Sequence, residues 1–285
     1  MTSLAQRSRG ALAAAPKQDE IFLVDPSIRA RKRELLVVNL GRLLVAVAVL
    51  ALWQFASGKW VPEFWISSPL AVLKAVGRLW NEAALGYSMG ATVLEALVGF
   101  AVGAIAGMLI GVIFGINRVT ARILDPYVLG FYAMPRIALI PLFILWFGLG
   151  FETKVIFTAL LVFFPIFMNT LSGIRGVDQD LIDVLRVMGA SRLNIIAKVL
   201  VPSALSWVFA GLRISVPYAL IGAIVAEMFT SNVGLGYLIS KTANEFDTAG
   251  LFATLAVTTA LAIALNYVVV VLEARLLRWR PRELS

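Results

Sequence analysis

Hydrophobic residues gather in six long segments of this chain, separated by shorter polar stretches. A helix that crosses a bilayer needs about 20 mostly apolar residues, at a rise of about 1.5 Å per residue. The segments lie near residues 35–56, 89–116, 126–147, 154–174, 203–227 and 250–274. This pattern predicts an all-α polytopic membrane protein with six transmembrane helices.

One polar run, from Asp178 to Pro202, stands out between the apolar segments because it contains six charged residues. Apolar residues nevertheless return at helical spacing before Gly189, at Leu181, Ile182, Leu185 and Met188. The run therefore predicts an amphipathic helix, a break and a second helix. Gly189 can end the first helix in a left-handed conformation, and Pro202 suits the first turn of the next one.

The composition excludes several classes of protein. With 60% hydrophobic and 15% charged residues, the chain does not fit an ordinary soluble domain. It contains no cysteine and no histidine, so it lacks the residues of common zinc sites, Ser-His or Cys-His catalytic groups and histidine proton relays. We therefore expect no catalytic residue and no metal site.

The distribution of basic residues predicts the orientation of the chain. Seventeen Lys and Arg residues lie in the segments that share a side with the N-terminus, against five on the other side. Basic residues favour the cytoplasm, so both termini and the 178–202 loop are predicted to face it. This topology accounts for the net charge of +8 without a nucleic-acid partner. We expect a mobile, unprocessed tail over residues 1–33, a membrane domain over 34–280 and a short tail over 281–285.

Other patterns predict how the helices bend and pack. Glycine recurs at every fourth position from Gly99 to Gly115, which allows a second helix to approach closely, within one subunit or across a dimer. Prolines at 126, 135, 141 and 165 are expected to bend the third and fourth spans. Ser68 and Pro69 open a short helix that either lies along the outer surface or packs against the spans.

The 178–202 loop resembles the cytoplasmic EAA loop of bacterial ABC-importer permeases. Asp183-Val184-Leu185, Gly189 and Val199 to Pro202 occupy its Glu-Ala-Ala, Gly and Ile-x-Leu-Pro positions with matching spacing, although several residue types differ. Gly-Ala-Ser-Arg at 189–192 and the run 138–150 are similar to the sulfonate, taurine and nitrate branch of that family. Further similarities are Gly211-Leu212-Arg213, Ala226-Glu227 and the segment 234–239, whose two glycines we interpret as an ordinary turn.

The resemblance covers about residues 35–280 and implies a type I (MetI-like) importer permease of the bacterial inner membrane. Such a permease works as a dimer, here expected to be a homodimer, with two ATPase subunits and a periplasmic or lipid-anchored binding protein. The chain has no Gly-x-x-x-x-Gly-Lys-Ser/Thr loop, so ATP would be used by the partner ATPase and no cofactor is expected here. The alternative for the loop is an amphipathic helix lying on the inner leaflet. The residues expected to couple to the ATPase are Asp183, Arg186, Met188, Gly189, Ala190, Ser191, Arg192 and Pro202.

Four ionisable residues lie within or near the ends of the spans, at Glu95, Arg136, Arg213 and Glu227. Ionisable groups are expensive in a bilayer and are therefore candidates for the translocation pathway. A guanidinium group can bind an oxyanion with two hydrogen bonds, so the two arginines suit an anionic solute. The alternative is a structural role, in which the arginines pair with the two glutamates or with backbone carbonyls.

The solute stays open at the level of sequence. Sulfonates, taurine and nitrate are expected from the resemblance, with bicarbonate, aromatic acids and a pyrimidine vitamin precursor as alternatives. An ion-coupled secondary transporter would need a relay of buried acids, and only Glu95 lies well inside a predicted span. A membrane enzyme would need a cluster of catalytic groups, which the sequence does not suggest.

Overall fold

The computed structural model describes residues 26–82 and 84–276, and almost all of this part of the chain is helical. Short 3₁₀ and π-helical turns at Arg136–Leu139 and Ile196–Leu200 join longer helices. The α-helices are α1 (Pro26–Ala56), α2 (Glu63–Ile66), α3 (Pro69–Asn81), α4 (Ala84–Ile116), α5 (Arg118–Ala133), α6 (Ile140–Phe147), α7 (Phe151–Arg175), α8 (Gln179–Val187), α9 (Arg192–Ile195), α10 (Val201–Thr230), α11 (Leu235–Asn244) and α12 (Thr248–Leu276). The predicted all-α class is confirmed.

Five helical segments within the described residues are long and apolar enough to cross a membrane, and a sixth candidate is a bent pair. The spans predicted near 89–116, 154–174 and 250–274 correspond to α4, α7 and α12, each a few residues longer than predicted. The span predicted near 203–227 belongs to a continuous helical segment from Arg192 to Thr230. The predicted tails lie mostly outside the described residues.

Helix α1 forms a compact unit of its own, separate from the unit that begins at Ser57. It starts at Pro26, so the last residues of the segment predicted as a tail are helical. Its apolar stretch from Arg33 to Ala56 is long enough to span a bilayer.

The second unit is organised around α7, which packs along both α4 and α10. The glycine stripe of α4 faces α7, so its close packing is within one subunit. A Cβ atom added at Gly103 would come within 2.5 Å of the Ala159 carbonyl oxygen, and one at Gly107 within 2.8 Å of the Phe163 carbonyl oxygen. Only glycine therefore permits this separation of the two helices. The core beside the stripe contains Ala96, Ala104, Val162, Ile166, Ala219, Leu220 and Ala223.

The third predicted span, near 126–147, is not one helix. Its two halves, Arg122–Ala133 and Arg136–Phe147, meet at an angle of 83°. Pro135 lies between them, lacks an amide donor and disfavours a helical conformation at Met134. The sequence predicted a bend in one continuous helix. The structure instead shows a break, after which the chain continues through a 3₁₀ turn into a second helix.

Helix α3 begins at Pro69, and the Ser68 hydroxyl caps it by accepting a bond from the Ala71 amide at 3.3 Å. The helix contacts α12 and α4, and its residues Val72, Ala75 and Leu79 are buried. Leu73 and Trp80 of the same helix are exposed. The packing alternative thus holds for Val72 and Leu79.

Candidate coupling loop and intramembrane charges

The first helix of the 178–202 loop is α8, and both of its ends are capped. The Asp178 carboxylate accepts a hydrogen bond from the Asp180 amide at 2.9 Å. At the other end, Gly189 has a φ of +83°, a left-handed conformation that glycine adopts without strain. The Gly189 amide donates to the Arg186 carbonyl at 2.9 Å and the Ala190 amide to the Leu185 carbonyl at 3.0 Å. This is a Schellman motif, and it confirms the predicted break at Gly189.

The second half of the loop runs without interruption into α10. The Ser191 hydroxyl caps α9 by accepting a bond from the Asn194 amide at 3.3 Å. A π-helical turn, Ile196–Leu200, then leads to Pro202 in the first turn of α10. Pro202 has no amide donor for the Lys198 carbonyl four residues earlier, which is consistent with a widened turn at this place.

The loop presents two different faces. Ile182, Ile195 and Leu200 are buried against Ile174 and Ala204, so one face anchors the loop to the ends of the long helices. The tip carries three large apolar residues that are mostly exposed: Val187 is 90%, Met188 77% and Leu193 78% exposed. An apolar tip of this kind suits insertion into a partner protein.

The charged residues of the loop are all exposed. Arg186 donates to Asp183 at 3.0 Å within α8, and both side chains are more than half exposed. No ion pair in the described part of the chain includes Arg192. The structure thus places Asp183 and Arg186 on α8, and it places Met188, Gly189, Ala190 and Ser191 in the turn that follows. Arg192 begins α9, and Pro202 lies at the start of α10.

A second group of charges is buried where α4, α7 and α10 meet. The Lys154 ammonium donates to the Glu95 carboxylate, and both side chains are at most 10% exposed. Lys154 also donates to the Ser231 hydroxyl at 3.3 Å. Lys154 is one of the five basic residues that the sequence analysis assigned to the outer side, and its pairing with Glu95 was not predicted. The available signal was a lysine at the start of the predicted span 154–174.

Glu227 is fully buried next to this ion pair and is held by hydrogen bonds from two elements. Its Oε1 atom accepts from the Thr92 hydroxyl at 2.6 Å, and its Oε2 atom accepts from the Gly236 amide at 2.7 Å. The Thr92 hydroxyl in turn accepts from the Leu235 amide at 2.8 Å. The start of α11 is therefore tied to α4 and α10 through one carboxylate.

The two glycines of the 234–239 segment, which the sequence analysis interpreted as an ordinary turn, allow the backbone to pack closely against Glu227 and Ile224. A Cβ atom at Gly234 would clash with the Glu227 carboxylate, and one at Gly236 would clash with the Ile224 carbonyl oxygen. Gly234 also has a φ of +117°, which L side chains rarely adopt. Both glycines are thus required for the backbone to approach the buried acid.

Arg213 and Arg136 occupy different environments. Arg213 is ion-paired with Glu273 of α12, so it does not pair with Glu95 or Glu227 as the structural alternative expected. Arg136 lies at the break after Pro135, with its guanidinium carbon 5.3 Å from the centre of the Tyr132 ring and 5.2 Å from that of the Phe164 ring. Its Nη1 atom is buried and has no hydrogen-bond partner among the described residues.

No group of three or more His, Asp or Glu side chains that could hold a metal ion is present in the residues described. The ionisable groups therefore offer an ion pair at Glu95 and Lys154, a hydrogen-bonded acid at Glu227, a paired arginine at Arg213 and an unpaired one at Arg136. Of these, only Arg136 has a buried donor without a hydrogen-bond partner in the described part of the chain.

Known proteins that resemble this chain in sequence include two transport permeases. The SsuC protein of Bacillus subtilis, an aliphatic-sulfonate transport permease by name, is 34% identical over 84% of this chain and 87% of its own length. The formylaminopyrimidine transport permease protein ThiX of Halalkalibacterium halodurans is 31% identical over 84% of this chain and 96% of its own. Both are named as transport permeases, so the prediction of a transporter that is not an enzyme is confirmed.

The fold also has a solved counterpart. The inward-facing methionine ABC transporter MetNI contains a chain that aligns with a TM-score of 0.56 and 19% identity, over 74% of this chain and 98% of that one. This confirms the predicted MetI-like fold. The family model described as "Binding-protein-dependent transport system inner membrane component" matches residues 103–279. This chain therefore belongs to that family, the membrane-spanning permeases of ABC importers.

Proposed function

We propose that the chain forms the solute pathway of an ATP-driven importer in the bacterial inner membrane and that the 178–202 loop docks a separate ATPase on the cytoplasmic side. The permease would act as a homodimer, supplied by a periplasmic or lipid-anchored binding protein. The distribution of basic residues supports this orientation.

One observation carries the docking proposal. The loop is rigidly capped and anchored on its inner face, yet its tip exposes Val187, Met188 and Leu193 almost completely. A helix lying on the inner leaflet would be more one-sidedly basic, whereas the exposed charges here have both signs, as in the pair Asp183 and Arg186. Exposed apolar residues together with exposed charges of both signs match the composition of a specific protein interface.

Co-purification tests the docking proposal. The double variant Val187→Asp/Met188→Asp should lose the cognate ATPase during affinity purification, because it places charge on the apolar tip. Lys198→Gln, an exposed change in the same loop away from the tip, is the matched control and should retain the ATPase. Equal recovery of the ATPase with both variants would exclude docking through this tip.

We further propose that the solute is a small anion of the sulfonate, taurine or nitrate class. Arg136 supports this choice, since a buried guanidinium donor without an acceptor is unfavourable by about 1–3 kcal/mol unless an anion or water satisfies it. The name of the Bacillus subtilis relative points to the same chemistry. The name of ThiX points to a pyrimidine vitamin precursor instead.

Mass spectrometry of the ligand that co-purifies with the cognate binding protein separates these solutes. A sulfonate or another small oxyanion is the expected result. An uncharged pyrimidine would contradict the anion proposal while leaving the importer and its docking loop intact.

A further inference from the structure

A cavity of about 560 Å³ lies on the inner side of the 178–202 loop, between the loop and the ends of α4 and α7. We call it the sub-loop cavity. Gly115 and Ile116 of α4 and Ile174 of α7 form one wall, and Ile182 and Ile195 of the loop form another. The exposed tip residues Val187, Met188 and Leu193 do not line it, whereas Arg186, Ala190 and Arg192, which are also expected to couple to the ATPase, do. The cavity therefore lies beside the proposed ATPase-docking surface and shares these three residues with it.

The polar lining of the sub-loop cavity is basic. Three arginines, Arg175, Arg186 and Arg192, line it together with Gln179, and no Asp or Glu among the described residues does. Arg175 is ion-paired with Asp125 at 3.1 Å and Arg186 with Asp183 at 3.0 Å, each through a single nitrogen. Because a guanidinium has five donors, each keeps further N–H groups for another acceptor.

Arg192 completes the set, since no ion pair in the described residues includes it. Guanidinium groups with free donors match the oxygen atoms of a phosphate group in charge and geometry. The isoleucines beside them offer an apolar wall, which a free inorganic ion does not need but the glycerol and acyl parts of a lipid do. Basic pockets between transmembrane helices on the cytoplasmic side are typical sites for anionic lipid headgroups.

We propose that the sub-loop cavity binds a phosphate group, namely that of an anionic phospholipid of the inner leaflet. This rests on the proposed function for one point, the cytoplasmic position of the loop. A lipid wedged here contacts both the loop and the ends of α4 and α7, so it sets the angle at which the docking helices leave the membrane domain. The lipid would therefore regulate how the permease responds to its ATPase.

Lipid retention by the full-length permease in nanodiscs tests the proposal. The probes are nanodiscs of phosphatidylcholine alone, the same with added phosphatidylglycerol, and phosphatidylcholine nanodiscs titrated with inorganic phosphate. Native mass spectrometry should find phosphatidylglycerol retained by the wild type. Arg175→Gln should weaken retention roughly tenfold, as expected for the loss of one charge-assisted bond. Arg175→Lys should recover part of it.

The control is Lys198→Gln, which removes a basic residue of the same loop that does not line the cavity. Phosphate binding that depends on Arg175, without lipid retention, would assign the cavity to a free anion instead of a lipid. Retention that is equal in wild type, Arg175→Gln and Lys198→Gln would overturn the proposal.

Two further measurements distinguish a loss of lipid binding from unfolding of a variant and from a failure of ATPase docking. Unfolding temperatures show that each variant is folded. Co-purification of the ATPase with the wild type is measured independently, so its absence would contradict the docking proposal without deciding the lipid site.

Discussion

The guanidinium group of Arg213 is ion-paired with the carboxylate of Glu273, which joins α10 to α12. Arg136 has no such partner, and its Nη1 atom is buried without a hydrogen bond in the described structure. The two arginines look equivalent in the sequence, but only Arg213 has an ion-pair partner within the described chain. The charge of Arg213 is compensated within the chain, whereas no carboxylate among the described residues is ion-paired with Arg136.

Neutralising Arg213 should leave transport largely intact. We expect Arg213→Gln to change the rate of ATP-driven uptake per assembled permease by less than about twofold, because its guanidinium group is paired with Glu273 within the chain and is not needed to bind the solute. Uptake in vesicles, normalised to permease content, measures this. Arg213→Gln/Glu273→Gln should be no less stable than either single variant, and an additive loss would contradict the pairing.

Neutralising Arg136 should have the opposite outcome. We expect Arg136→Gln to lower uptake at least roughly tenfold, which corresponds to the loss of one charge-assisted hydrogen bond to the solute. The assay uses a labelled form of the solute that the binding protein retains. Arg136→Lys keeps the charge without the two-pronged geometry and should recover uptake in part.

Assembly is the control for this result. Arg136→Gln should still co-purify with the ATPase, since the residue lies on a different element from the 178–202 loop. Wild-type uptake by Arg136→Gln would remove this residue from the solute pathway, and loss of assembly would give it a structural role.

The contact between α4 and α7 should not tolerate a methyl group. Gly103→Ala places a Cβ atom 2.5 Å from the Ala159 carbonyl oxygen, so the helices must move apart. Overpacking of this kind typically costs about 1–3 kcal/mol, and we expect a lower unfolding temperature in detergent. Gly90→Ala lies on the same helix with nothing within 4 Å and should have little effect.

The buried ion pair should show strong coupling between its two members. Lys154→Met leaves the Glu95 carboxylate buried without its counter-ion, a change that typically costs about 3–5 kcal/mol. Lys154→Met/Glu95→Gln removes both charges and should unfold at a higher temperature than Lys154→Met alone. Equal unfolding temperatures of the single and double variants would show that the pair is not coupled.

Local and periodic features were accessible from the sequence. The glycine stripe, the capped helix–break–helix of the loop and five of the six long spans depend on neighbouring residues, so their patterns predict them. The break at Pro135 was underestimated because one proline can produce a kink or a full break, and packing elsewhere decides which.

Contacts between residues that are far apart in the chain could not be predicted from the sequence. Lys154 is 59 positions from Glu95, and Thr92 is 135 positions from Glu227. Sequence alone gives the depth of a charge in a span but not the direction in which it points, so Arg213 and Arg136 could not be distinguished. Exposure of the loop tip likewise follows from how the inner face packs.

The turn at Gly189 should be needed for coupling more than for folding. Its φ of +83° is unfavourable for residues with a Cβ atom by about 1–2 kcal/mol, yet a Cβ here would meet nothing within 4 Å. Gly189→Val should therefore relax the turn and change the angle between α8 and α9 without disturbing the core. We expect a small change in unfolding temperature and a clear loss of ATPase co-purification.

Gly189→Asn is the matched control, because asparagine adopts left-handed conformations more readily, and it should retain more ATPase than Gly189→Val. Equal ATPase recovery with valine and asparagine would show that docking does not depend on the angle of this turn.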